Sequence, residues 1–150
     1  MNDRAAVESM LKEAYGARVR GDVEATVRHF TDDATFALAG AREASPVAVR
    51  CTGCESIRGV MAGLIGAFRF SDHEILELFL DGPRAAVHTR FRVRASATGE
   101  EAVTETVDLI TFEDGKIAAF TQFCDTALAA KLTGAGPAAD TAGSALPASR

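Results

Sequence analysis

From His73 to Cys124 the chain keeps one period. Four arms of strand-like alternation, His73 to Leu80, Ala85 to Ala95, Ala102 to Phe112 and Ile117 to Cys124, are separated by the turn signals Asp81-Gly82-Pro83, Ser96 to Glu101 and Asp114-Gly115. Short turns of this kind join antiparallel neighbours, so the pattern predicts a meander. The second arm alternates most cleanly, with Val87, Thr89, Phe91 and Val93 on one side and His88, Arg90, Arg92 and Arg94 on the other. One face of the sheet therefore belongs to a core or pocket, and the other is polar. Charges at strand spacing fit a solvated or subunit-facing surface better than an anion-binding stripe, and Glu101 and Glu105 of the next arm can pair with the arginines.

Before the meander the period is helical. Val7, Leu11, Ala14 or Tyr15, and Val19 share a face, Asn2 or Asp3 can cap its start, and Gly21 can end it. Asp22 can cap a second, short helix with Val23, Val27 and Phe30 inward, stopped by Thr31-Asp32-Asp33. Ala34 to Ala39 is predicted as a strand, Gly40 to Arg50 as a loop with an extended piece at Val47 to Val49, and Cys54 to Phe68 as a third helix. Asp125-Thr126 can cap a last helix, Ala127 to Leu132. Helices first and antiparallel strands later make an α+β arrangement. Residues 1–133 are expected to form one domain. Residues 134–150, rich in Ala, Gly, Pro, Ser and Thr, are expected to be a flexible tail, because they offer almost no apolar area against the entropy of ordering.

The formal net charge of -5 disfavours nucleic acid and anionic membrane surfaces as partners. Charges at Asp3, Arg4, Glu8, Lys12 and Glu13 deny the N-terminus the apolar core of a secretion signal, and no window approaches the roughly 20 apolar residues of a membrane span, so a soluble cytoplasmic protein is expected. Cys51, Cys54 and Cys124 are an odd number and are read as reduced thiols. Cys51 and Cys54 have metal-ligand spacing but lack companion ligands, so no metal and no cofactor is assigned.

One residue does not fit its surroundings. Asp108 stands among Val107, Leu109, Ile110 and Phe112 in mid-strand, far from either turn. Tyr15, the only tyrosine, shares the inward helix face with Leu11 and Val19, and a buried phenol needs a partner. His29 lies off the apolar face of its helix and is read as a surface residue.

The order of these elements, with GD at 21–22, DDATF at 32–36, the helix start at Gly53 to Ile57, FEDGKI at 112–117 and FCDT at 123–126, resembles the SnoaL-like branch of the nuclear transport factor 2-like superfamily over about residues 5 to 133. The resemblance implies a cone, in which a strongly curved antiparallel sheet wraps around about three N-terminal helices to enclose an apolar pocket, and it implies a homodimer. Members include ketosteroid isomerases, polyketide cyclases, epoxide hydrolases and non-catalytic domains. The run VDLITF at 107–112 is similar to the isomerase strand whose aspartate is a pocket acid kept neutral at pH 7 so that it donates a hydrogen bond to the substrate oxyanion, and Asp108 holds that position. The remaining isomerase positions differ: the general base falls on Leu38, the oxyanion tyrosine on Ala14 with Tyr15 next to it, and two supporting tyrosines on Phe30 and Met61. The epoxide hydrolase residues fall on Phe91, Val93 and Gln122.

Both family patterns make Phe120, Gln122 and Cys124 line the pocket. The resemblance thus implies a cavity of Phe36, Leu38, Met61, Val87, Phe91 and Phe120 that suits a small, largely hydrophobic molecule, oriented by Asp108, Gln122, Thr89 and Tyr15. Burial should raise the pKa of Asp108, making it an acid–base group; the competing reading is a satisfied polar cluster in which Asp108 bonds Thr89, Thr106, Gln122 or Tyr15. Two functions follow: a cofactor-independent enzyme of isomerase, cyclase or hydrolase-like type with Asp108 as its catalytic residue, or a non-catalytic dimeric module for ligand binding or association.

Overall fold

Asp3 accepts a hydrogen bond from the Ala6 backbone N–H and opens the first helix, α1 (Arg4–Arg20), in a computed structural model that describes residues 3–134. Gly21 closes it with φ 77°, the left-handed conformation that glycine adopts without a steric penalty. The buried face of α1 is Val7, Leu11, Ala14, Tyr15 and Ala17. Asp22 caps α2 (Val23–Val27) by accepting from Ala25 N at 3.0 Å.

The helix stops sooner than its apolar spacing suggests. Phe30, expected on the inner face of that helix, is the first residue of β1 (Phe30–Leu38), which thus begins before Ala34. The reason is pairing: the Ile117 N–H donates to the His29 carbonyl at 2.8 Å and Phe30 pairs with Ile117, which fixes an extended backbone straight after α2. Likewise β2 (Val49–Thr52) is set by its antiparallel register on β1, from Leu38 opposite Val49 to Thr35 opposite Thr52, rather than at Val47 to Val49. Gly53, at φ 93°, leads into α3 (Cys54–Ala67), which buries Ile57 and Met61.

The meander follows as β3 (Phe68–Asp81), β4 (Arg84–Ala95), β5 (Glu101–Glu113) and β6 (Lys116–Phe123), and α4 (Thr126–Thr133) ends the described chain. Asp114 and Gly115 have φ 52° and 77°, the two positive values that a tight type I′ hairpin turn requires. β3 starts at Phe68, before the expected His73, because register shifts after Ser71 and after Ile75 break the period of two that betrays a strand in sequence. The strand order is β2-β1-β6-β5-β4-β3. The sheet is mixed rather than wholly antiparallel, since β1 lies parallel to β6. The chain leaves β1 through β2 and α3, enters the meander at the far edge, and returns alongside β1 in the same direction.

The sheet packs α1 and α3 against one face, an α+β arrangement with the helices on the inside. The main core gathers Leu11, Phe30, Phe36, Ile57, Val87 and Phe120, with Phe36 and Phe120 stacked at 5.4 Å. Each such ring contributes about 1.5–3 kcal/mol by leaving water. A second cluster, Phe68, Phe91, Val93, Ala95 and Leu132, packs under α4 at the other end of the sheet. The polar outer face of β4 is paired across the sheet: Arg90 with Glu74 and Arg92 with Glu101 as ion pairs, and His88, rather than an arginine, in a hydrogen bond with Glu105. No helix among the described residues is long and apolar enough to cross a membrane. The tail expected over 134–150 falls outside the described residues except for Gly134, the C-cap of α4.

Candidate functional site

About three helical turns into α1, Tyr15 and Arg18 stand three residues apart and so share a face of the helix. Asp108 of β5 and Gln122 of β6 are direct neighbours in the ladder. The Tyr15 phenol donates a short hydrogen bond to Asp108 Oδ2, and Gln122 Nε2 donates to Oδ1 at 2.9 Å. Asp108 has no exposed surface. Burial pushes its carboxyl up from 3.8 to about 6, although the Tyr15 and Gln122 hydrogen bonds and the Arg18 cation pull the other way. The same burial, reinforced by Asp108, holds Tyr15 well above 10, so its phenol stays neutral.

Arg18 is half-buried. Its Nε is fully buried and has no hydrogen-bond partner among the described residues, and its guanidinium carbon lies 4.7 Å from the Phe70 ring centre. Burial lowers its pKa from the ordinary guanidinium value, an effect that Asp108, Tyr15 and Cys124 offset. His73 sits within the β3 irregularity, next to Asp72 at φ 52°. A bulge of this kind re-aims a side chain, and the imidazole is turned onto Tyr15 (4.4 Å between ring centres) and Phe91 (5.9 Å). Burial, with Arg18 adding to it, pushes His73 down to about 4, so the ring is neutral at pH 7.

These groups border an apolar cleft and two smaller spaces beside it; Tyr15 and His73 also line an open groove between α1 and β3, and Arg18 a further space beside Gly21 and Phe70. The cleft encloses about 480 Å³ including its open mouth, with Leu38, Leu64, Phe68, Phe70, Phe91 and Leu128 as apolar wall and Arg18, Gln122 and Cys124 as polar points. A space of about 260 Å³ lies between Tyr15, His73, Phe91 and Gln122, and another of about 330 Å³ reaches Met61 and Phe120; Arg18 borders all three. No group of three or more His, Cys, Asp or Glu side chains stands together as a metal site among the described residues, and Cys54 instead donates its thiol to the Thr31 carbonyl at 3.2 Å.

Residues 11–120, well over half of the chain, match the sequence profile described as a SnoaL-like domain. The chain belongs to the SnoaL-like family. Among solved structures, a provisionally named isomerase of Bacillus subtilis superposes with a TM-score of 0.81 at 15% identity, over 91% of this SnoaL-like chain and 98% of the other. An NTF2-like protein of Burkholderia xenovorans LB400 gives 0.73 at 21%, over 89% and 98%. A provisionally named polyketide cyclase of Xanthomonas campestris pv. campestris gives 0.67 at 15%, over 83% and 93%. At these identities the likeness is one of fold. No curated protein sequence matches the chain.

Of the residues picked out in sequence, this SnoaL-like domain brings Tyr15, Asp108 and Gln122 into one hydrogen-bonded chain and sets Leu38, Phe91, Met61 and Phe120 around it. Asp108 itself borders none of the described spaces; Tyr15 and Gln122 stand between it and them. Phe36 is sealed in the core, and Thr89 is spent on Thr106, the two hydroxyls 2.7 Å apart. The isomerase tyrosine position falls on Ala14, yet the phenol arrives from Tyr15, the adjacent residue on the same buried face. Arg18 and His73 were not singled out. Arg18 could have been, since it follows Leu11 by seven residues and Tyr15 by three, a charge on an apolar stripe. His73 gave no such signal, because only the bulge in β3 decides where its ring points.

Proposed function

We propose that this SnoaL-like protein binds a small, largely hydrophobic molecule in the cleft and handles protons there through Tyr15, Asp108 and Gln122. The observation that carries this reading is a buried carboxyl, raised to about 6, whose two oxygens are held by Gln122 on the cleft wall and by Tyr15, which borders the two smaller spaces beside the cleft. With Asp108 ionised, Tyr15 directs its O–H at the carboxylate and offers the cavity only an oxygen acceptor. Protonation lets that bond reverse: the carboxylic acid donates to the phenol oxygen, and the phenol O–H becomes free to donate to a ligand carbonyl. A hydrogen bond placed where negative charge develops on that oxygen is the contribution an isomerase or cyclase needs. His73, neutral and stacked on Tyr15, supplies a second group able to accept a proton.

Proteins of this fold include provisionally named isomerases and a polyketide cyclase, which supports a reaction on a small molecule. The test is turnover by wild type, Asp108→Asn and Tyr15→Phe on a panel of ketones and polyketide-like aromatics, with mass spectrometry of whatever the protein retains from cell extract. Wild-type turnover in both variants ends the acid–base reading.

A second reading is a non-catalytic dimeric module. It is favoured by the outer sheet face, where Val103, Val107, Leu109 and Phe123 are exposed beside ion pairs of both signs. An apolar centre with a rim of mixed charge is self-complementary about a two-fold axis, so the partner is a second copy of this chain. A retained ligand without turnover on any substrate would decide for this reading.

A further inference from the structure

Arg18 is the one described residue with a fully buried side-chain polar atom that lacks a hydrogen-bond partner. It makes no ion pair with the described residues. Asp108, its nearest buried carboxyl by charge effect, has both oxygens occupied by Tyr15 and Gln122. Asp125, on the cleft wall, spends its Oδ1 on capping α4 through Leu128 N at 3.0 Å. A guanidinium set against the Phe70 ring in an apolar cleft loses hydration and gains only a cation–π contact, an arrangement that is costly unless something else pairs with it. Arg18 borders the cleft, and the rest of the cleft wall is aliphatic or aromatic apart from Gln122, Thr104, Cys124 and Asp125.

We infer that the ligand of the cleft is an apolar acid, a molecule whose carboxylate or enolate oxygen pairs with Arg18 while its hydrophobic body lies against Phe68, Phe70, Phe91 and Leu128. This rests on the cleft being the binding site and names the chemical class that site selects. Arg is the side chain suited to it, because its planar fork meets two oxygens at once and stays charged at any physiological pH. The head group then lies next to Gln122 and the Tyr15 phenol, within reach of the proton-handling chain.

The test compares matched probes on the unaltered protein by isothermal titration calorimetry near neutral pH. One pair is 2-naphthoate and 2-naphthamide, alike in body and different in charge. The other is 2-phenyl-1,3-indandione, which ionises to an enolate, and its 2-methyl derivative, which cannot. The anionic member of at least one pair should bind at least about tenfold more tightly. Preference in the first pair alone identifies a carboxylate, and in the second alone an enolate. Arg18→Gln should abolish the preference by weakening the anion while leaving the neutral probe within about twofold. Equal binding of anion and neutral partner in both pairs overturns the inference and leaves the cleft reading standing, as does a preference that survives Arg18→Gln. Failure of all four probes to bind overturns both. The wild-type comparison needs no variant, so a misfolded Arg18→Gln protein does not remove the test.

Discussion

Asp108→Asn keeps the shape of the buried side chain and removes its titration. The oxygen of the introduced amide can accept from Tyr15, and a turned-over Gln122 amide can accept from its nitrogen, so the cluster stays satisfied. In the folded wild type the Asp108 carboxyl titrates at about 6 against 3.8 for the free group. The folded state therefore holds a proton more firmly than the unfolded chain between those values. Stability from this group is greatest below the lower pKa, falls as pH rises through the window, and is level above it. The gap corresponds to about 3 kcal/mol. His73 works in the opposite sense. Its imidazole is pushed down to about 4, so its contribution is full above the ordinary 6.5 and is lost as pH falls toward 4. The two nearly cancel, and the wild-type profile alone would look flat. The informative quantity is variant minus wild type, from urea unfolding followed by far-UV circular dichroism, because His73 and the surface groups drop out of it. That difference should grow in favour of the variant by about 2–3 kcal/mol between pH 4 and pH 7, a midpoint shift of about 1–3 M urea. A difference constant to within about 0.5 kcal/mol across the range would refute the buried, perturbed carboxyl.

His73→Gln should expose the uncancelled Asp108 effect, so that stability falls as pH rises from about 4 to 6; a profile unchanged from wild type would count against the stacked, neutral imidazole. Tyr15→Phe removes a donor from a buried carboxylate and should cost about 1–3 kcal/mol near neutral pH, less below about pH 5 where Asp108 is protonated; denaturant midpoints at the two pH values check it. Leu109→Lys, in the middle of the exposed apolar face of β5, should convert a dimer into a monomer in sedimentation velocity, and a wild-type monomer would remove the association reading.

The local grammar of the chain was legible where a residue's own conformational preference decides its state. Asp3, Asp22 and Asp125 cap helices, the Asp114-Gly115 pair turns a hairpin, and the alternation of β4 divides core from solvent, because each depends on neighbours in sequence. Asp108 was conspicuous for the same reason, as a charge in the wrong period. The tertiary structure alone decided what stands across from what. The parallel pairing of β1 with β6 took Phe30 out of a helix, the bulges in β3 hid its first residues and turned His73 inward, and the crossing of α1 over β5 and β6 chose Tyr15 and Gln122 as the partners of Asp108 and left Arg18 without one. Periodicity records which face a side chain occupies, and only the fold brings faces from distant parts of the chain together.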